Sequence, residues 1–215
     1  MPIYLNNKDT NTTIHTNDAK GAYGTYYLAN NPKHYEIQRN NNFMFYINFE
    51  AGFLSADNTL KELNSYAANP TNTSDIVRIS VDSSFVPHFK NSAIELKRGN
   101  NTMKFAGVPI FDAGQIKFTD FIGAGTKDIL MAWQRKVYDV NTEKVGLAAD
   151  YKHDAFLIEL TPDYQTVRTW KLCGCWISAL SEDDYSHDSN DRHTITCSIE
   201  YDKAFVDTTD IDTSI

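Results

Sequence analysis

The 215-residue sequence has no long apolar run. None of its apolar stretches approaches the ~20 residues that a membrane-spanning helix needs. Residues 1–7 (Met-Pro-Ile-Tyr-Leu-Asn-Asn) contain neither the basic nor the apolar region of a secretory signal. We therefore expect no membrane segment and no signal peptide.

Cysteine is also scarce, with only Cys173, Cys175 and Cys197. An odd, small number of cysteines does not make a disulfide framework, so we expect reduced, half-buried thiols in a protein made in a cytoplasm. On a regular strand Cys173 and Cys175 would share one face, but two thiols do not complete a four-ligand zinc site. Cys197 and His193 are the remaining candidate ligands. We predict that these cysteines pack in the core and bind no metal.

Basic residues are outnumbered, since 20 Lys and Arg face 28 Asp and Glu for a net charge of −8. Residues 161–215 hold 11 acids and four bases, so this last quarter of the chain carries −7. Tight binding to a phosphate backbone needs cations that displace counterions. The charge balance argues against an ordinary nucleic-acid-binding protein, but it is compatible with a surface that DNA passes without sticking.

Each segment that resembles a catalytic or ligand-binding motif lacks part of that motif. Phe121–Lys127 lacks the third glycine of a dinucleotide loop and the spacing of a P-loop, so we interpret it as a turn before a helix. Glu182–Asp191 lacks the glycine and final glutamate of a calcium loop; a solvated or interface loop is favoured over weak divalent binding. Glu200 and Asp202 lie too close along one strand for a glycosidase pair. We predict no catalytic residue, no cofactor and no enzymatic activity.

The apolar pattern that is present favours strands. Alternation or turn chemistry predicts strands at 43–50, 77–82, 94–97, 103–107, 115–122, 154–160, 165–175 and 192–202, with a hairpin turn at Arg98–Asn101. A short helical turn is predicted at Thr59–Ala67, stopped by Asn69–Asn72. These elements predict a mainly β protein, a β-sandwich or partly closed barrel with one packed helix. We expect an extended arm at 1–42, a β domain at 43–205 and a flexible tail at 206–215.

Two elements define the predicted core. Thr126 is the predicted N-cap of a helix over Lys127–Asp139, whose apolar stripe includes Ile129, Trp133 and Val137. The last strand alternates strictly. Its core side is predicted to be Ile195, Cys197, Ile199 and Tyr201. Its solvent or lumen side is predicted to be Thr194, Thr196, Ser198, Glu200 and Asp202.

Taken in order, these segments resemble the tail tube proteins of contractile phage tails. The resemblance rests on the entry strand, a hairpin, a single helix, a glycine-aromatic kink and a closing strand: Phe43–Phe49, Ile94–Gly107, Ile129–Tyr138, Trp170–Trp176 and Thr194–Asp202. The chain departs from the family at Ile177, where a proline usually follows the tryptophan, and in its long segments 1–42 and 51–75.

The resemblance implies a structural virion protein. Such proteins form homohexameric rings whose sheets join into an inner barrel, and the rings stack into a tube that conducts DNA during genome ejection. It implies self-association and, as further partners, the tail sheath, tape measure, baseplate and tail terminator proteins, in a virion tail assembled in the host cytoplasm. Alternatives are a tube protein of a type VI secretion system or phage-like bacteriocin, and a carbohydrate-binding β-sandwich that uses exposed Trp and Tyr.

Overall fold

The computed structural model describes residues 4–7, 12–15, 37–49, 53, 70–121, 125–188 and 190–207. Contacts divide the chain into two units, Met1–Asn40 and Asn41–Ile215. In the first unit, strands β1 (Tyr4–Asn7) and β2 (Thr12–His15) pair antiparallel. Most of the arm predicted over 1–42 lies outside the described residues, and so does the whole helical turn predicted at Thr59–Ala67.

The second unit is built mainly of strands, which confirms the predicted fold class. Its strands are β3 (Phe43–Asn48), β4 (Val81–Ser83), β5 (Phe89–Arg98), β6 (Asn101–Phe111), β7 (Gly114–Thr119), β8 (Tyr138–Asp139), β9 (Lys144–Val145), β10 (His153–Leu160), β11 (Thr166–Glu182), β12 (Thr194–Glu200) and β13 (Lys203–Asp207). Its helices are α1 (Pro70–Ser80), α2 (Thr126–Val137) and α3 (Ala148–Tyr151).

One curled, antiparallel sheet organises this unit, in the order β3-β10-β11-β12-β7-β4. The 17-residue strand β11 is its centre. Strands β12 and β13 follow one edge of β11, with Trp176 opposite Glu200 and Cys173 opposite Lys203, and the pairing with β12 shifts register between Ile177 and Ala179. The closing strand predicted over 192–202 is therefore interrupted after Glu200 and resumes at Lys203. Strand β13 includes Val206 and Asp207, which the sequence prediction assigned to the flexible tail.

The prediction of a strand over 77–82 is wrong, because α1 continues to Ser80 and strand β4 begins only at Val81. Pro70 opens this helix, at a position where its missing N–H is not needed, so the predicted stop at Asn69–Asn72 is a helix start. The buried residues of α1 follow helical spacing: Thr73, Ser74, Ile76, Val77 and Ser80. Packing of this face against β3 and α2 outweighs the period-two pattern of the segment.

Helix α2 is present where the sequence predicts it, but its cap differs. Gly125 is the N-cap, with φ of 69° in the left-handed region. The Thr126 side chain is buried instead, and its Oγ1 lies 2.9 Å from Ser80 Oγ. Thr126 therefore ties α2 to α1 across the core. The helix ends at Val137 because Tyr138 adopts an extended conformation.

The core lies between α2 and one face of the sheet. Ile129 and Trp133 are fully buried on the helix, whereas Val137 is half-buried. On β12 the buried set is Ile195, Cys197 and Ile199, and Tyr201 is buried just beyond the strand. Each such side chain contributes about 1.5–3 kcal/mol when fully buried. This layer fixes which face of the sheet remains accessible.

Candidate assembly surfaces

The accessible face of the sheet contains the residues proposed to face a lumen. Thr194, Thr196, Ser198 and Glu200 are half-buried and alternate with the buried residues of β12. Their cross-strand neighbours on β7 include Lys117, which lies opposite Thr196. Around β12 this face is therefore rich in hydroxyl groups but carries charge of both signs.

The other half of the same face is aromatic and ion-paired. Phe156 lies between Tyr46 and Lys171 in the register of the sheet. Lys171 Nζ lies 3.2 Å from a carboxylate oxygen of Asp154 and 5.7 Å from the Phe156 ring centroid. The hydrogen bond that Lys171 donates to the Asp154 carboxylate raises the pKa of the Lys171 ammonium. Hydroxyl groups are therefore prominent on this face around β12 but not around β10.

Asp202, also proposed for this face, lies in the break between β12 and β13. Lys152 Nζ donates to both of its carboxylate oxygens at 2.8 Å. Its backbone N–H donates to the Cys173 carbonyl at 3.0 Å. Asp202 therefore holds the segment between β12 and β13 against β11. The position of this face within an assembly stays a prediction.

The cysteines pack as apolar residues. Cys175 and Cys197 are buried, and burial raises the pKa of each thiol to about 12. A β-bulge at Cys173 and Gly174, where φ of Gly174 is 68°, leaves Cys173 half-buried and on the opposite face from Cys175. The shared face expected for a regular strand is therefore lost. Within the described ranges, no three His, Cys, Asp or Glu residues are grouped as metal ligands.

The predicted hairpin is confirmed as a two-stranded ribbon of β5 and β6, separate from the large sheet. Arg98 pairs with Asn101, leaving the two-residue turn Gly99–Asn100. Gly99 has φ of 59°, the positive value that two-residue hairpin turns require at their first position. Leu96 lies opposite Met103, and Ile94 lies opposite Phe105. These four side chains share one face, while Glu95, Lys97 and Lys104 lie on the other.

The apolar face of this ribbon is exposed: the exposed fractions are 59% for Ile94, 41% for Leu96, 49% for Met103 and 51% for Phe105. On the other face Lys104 pairs with Glu95 at 3.6 Å. Sequence reasoning found the hairpin but missed this uncovered face. The sequence did contain a signal for this face, because apolar residues that alternate in a strand outside the core predict a surface that packs on another molecule or segment.

An acidic end forms where β7, β11, β12 and α2 meet. Lys127 Nζ lies 2.6 Å from Glu182 Oε2, and this pair lowers the pKa of the Glu182 carboxyl. Desolvation, and then the nearby charge of Asp120, raise the pKa of the Asp128 carboxyl. The acidic end comprises Asp120, Asp128, Glu182, Asp183, Asp184, Asp188 and Asp191. Two exposed aromatic side chains, Phe121 and Tyr185, accompany it.

The described helices include none with both the length and the apolarity to cross a membrane. No family model matches the chain, and no curated protein matches it. Solved structures do match. The sheath/tube terminator of an extracellular contractile injection system (PVC, extended state) superposes with a TM-score of 0.55 at 16% identity, covering 80% of this chain and 97% of that one.

Two further structures give the same result. The tube-terminating cap of the anti-feeding prophage has a TM-score of 0.54 at 13% identity, with 80% of this chain and 92% of that chain covered. A chain of the PVC sheath–tube complex has a TM-score of 0.53 at 14% identity, with 83% and 96% covered. The chain therefore has the fold of tube and tube-terminator proteins of contractile injection systems, which confirms the resemblance drawn from the sequence at the level of fold.

Proposed function

We propose that the chain is a structural subunit of the tube of a contractile system. The observation that supports this most is the fold shared with a chain of a sheath–tube complex over 83% of the present chain. Tube building needs surfaces that a single chain leaves uncovered, and the hairpin ribbon is one. The protein acts by assembly and not by catalysis, which agrees with the burial and raised pKa values of Cys175 and Cys197.

In the finer form of this proposal, six copies form a ring, their sheets join, and stacked rings make the tail tube of a virion. This tube conducts DNA into the host and contacts sheath, baseplate, terminator and tape measure proteins, after assembly in the host cytoplasm. The hydroxyl groups of Thr194, Thr196 and Ser198 suit such a lumen, because they offer phosphates no cation. A type VI secretion system or bacteriocin tube would use the same architecture with another cargo.

A tube terminator is the second candidate, because two of the three structures compared above are of terminators. A terminator would form rings without continuing into a tube. The carbohydrate-binding alternative has less support, since Trp133 is buried and Trp170 and Trp176 are half-buried, so no tryptophan supplies an open platform.

Sedimentation velocity and negative-stain microscopy of the purified full-length protein, from low to high concentration, test these proposals. Hollow tubes of stacked rings are expected. Single rings that never stack at any concentration would favour the terminator. A monomer throughout the range would contradict both assembly proposals and favour the carbohydrate-binding module, which glycan-array binding would then test.

A further inference from the structure

The apolar face of the β5–β6 ribbon has no cover within the described part of the chain. Ile94, Leu96, Met103 and Phe105 are each between 41% and 59% exposed. A two-stranded ribbon by itself is marginal in water, so a long one with a clean apolar face indicates a partner that packs on it.

The charge of the ribbon indicates what that partner is. Residues 89–111 contain four bases and one acid: Lys90, Lys97, Arg98, Lys104 and Glu95. The remaining chain then has 16 bases and 27 acids, a net charge of −11. A second copy of this chain therefore offers the ribbon an oppositely charged surface, and complementary charge both steers and orients such an encounter.

The root of the ribbon and the acidic end lie at opposite ends of one strand. At the Glu200 end of β12, Tyr201 Oη donates to the His88 carbonyl at 3.3 Å, and the Tyr201 ring packs on Phe111 at the root of the ribbon. At the Thr194 end, Thr194 bonds Asp183 of the acidic end. The seven residues of β12 separate the ends by about 20 Å.

We propose that the ribbon of one copy docks head to tail on the acidic end of the next copy. Its apolar face would cover Phe121 and Tyr185. Arg98 lies on that same face beside the turn and would face Asp184 and Asp188, while Lys97, on the other face of the narrow tip, adds to the positive charge there. Such an interface joins two different surfaces, so each added copy exposes a new docking site, and the contact continues along a tube when its rotation does not close into a ring. The inference rests on the proposed function and names the contact that would let rings stack.

Charge exchange tests the pairing. The ribbon variant is Lys97→Glu with Arg98→Glu, and the loop variant is Asp184→Lys with Asp188→Lys; Asp183 is left intact because it holds Thr194. The control variant, Lys144→Glu with Lys203→Glu, makes the same change of net charge as the ribbon variant, at exposed positions elsewhere. Circular dichroism and thermal melting establish that each variant is folded.

Sedimentation should show self-association reduced at least about tenfold in the ribbon and loop variants, a loss of about 1.4 kcal/mol, and unchanged in the control. Mixing the two reversed variants should restore association between them. Raising the salt concentration should weaken wild-type association, because exposed charge pairs are screened. Ile94→Ser with Phe105→Ser should also reduce association, although it leaves every charge in place.

Wild-type association in the ribbon variant, or failure of the mixture to associate, would overturn the inference. The outcomes separate it from the proposed function. Tubes formed equally by wild type and ribbon variant would leave the function standing and remove this contact. If the wild-type protein forms salt-sensitive pairs that charge exchange abolishes and restores, but forms no rings or tubes, the contact stands and the proposed function is contradicted. A wild-type chain that never self-associates would overturn both.

Discussion

At the scale of the residue, His153 is the unusual side chain of the core. It is buried at the start of β10, and the rings of Phe49, Phe53 and Trp133 lie 4.6–5.9 Å from its ring centroid. Neither ring nitrogen has a hydrogen-bond partner among the described residues. Desolvation, and then the charge of Lys136, lower its pKa to about 4 against the opposing charge of Asp154. The fold therefore holds this imidazole neutral.

Acid should destabilise the protein through His153. Its pKa is 6.5 in the unfolded chain and about 4 in the fold, so protons bind the unfolded chain first as the pH falls. The stabilisation is complete above pH 6.5 and is lost between pH 6.5 and about 4, by at most about 3 kcal/mol. Urea unfolding at pH 7.5, 6.5, 5.5 and 5.0 measures the loss.

His153→Phe supplies the matched variant, because a phenyl ring fits a site already lined by aromatic rings. Its free energy of unfolding should vary less between pH 6.5 and 5.0 than that of wild type. Equal slopes for both proteins would show that other groups, and not His153, cause the acid sensitivity.

At the scale of the element, the bulge in β11 lies where this strand changes its pairing partner from β13 to β12. Before the bulge β11 lies between β10 and β13; after it, β11 pairs with β12. Gly174 makes this possible through its φ of 68°, and the Asp202 carboxylate fills the space where a Cβ would be.

Gly174→Ala should lower the free energy of unfolding by more than the 1–2 kcal/mol of the left-handed conformation alone, because the new methyl group meets Asp202. Gly125→Ala is the control, since Gly125 has nearly the same φ, 69°, but its nearest contact would be ordinary, at 3.6 Å. Chemical unfolding of both variants gives the comparison. Equal losses would mean that the contact with Asp202 costs nothing.

At the scale of the whole molecule, contacts divide the chain after Asn40. Residues 41–215 contain the sheet, its core and the ribbon. We expect a chain lacking residues 1–40 to melt within a few degrees of the full chain but to stack poorly, since the arm is a candidate for contacts between rings. Thermal melting and electron microscopy check the two parts. Normal tubes from the shortened chain would exclude a role for the arm in stacking.

Local periodicity in the sequence determined several elements without help from the fold. The alternation of Ile195, Cys197 and Ile199 marks a half-buried strand, the spacing of Ile129 and Trp133 marks a helix, and Gly99–Asn100 marks a hairpin turn. In each case the signal lies within one turn or one strand, so no distant contact is needed to read it.

Tertiary structure decided what depends on partners far along the chain. Val77 and Ile79 alternate as in a strand, yet packing against β3 and α2 makes the segment a helix. Thr126 bonds Ser80, 46 residues away, and so gives up the predicted cap to Gly125. The uncovered face of the ribbon also became visible only in the fold, because exposure depends on which surfaces meet, and local sequence does not specify that.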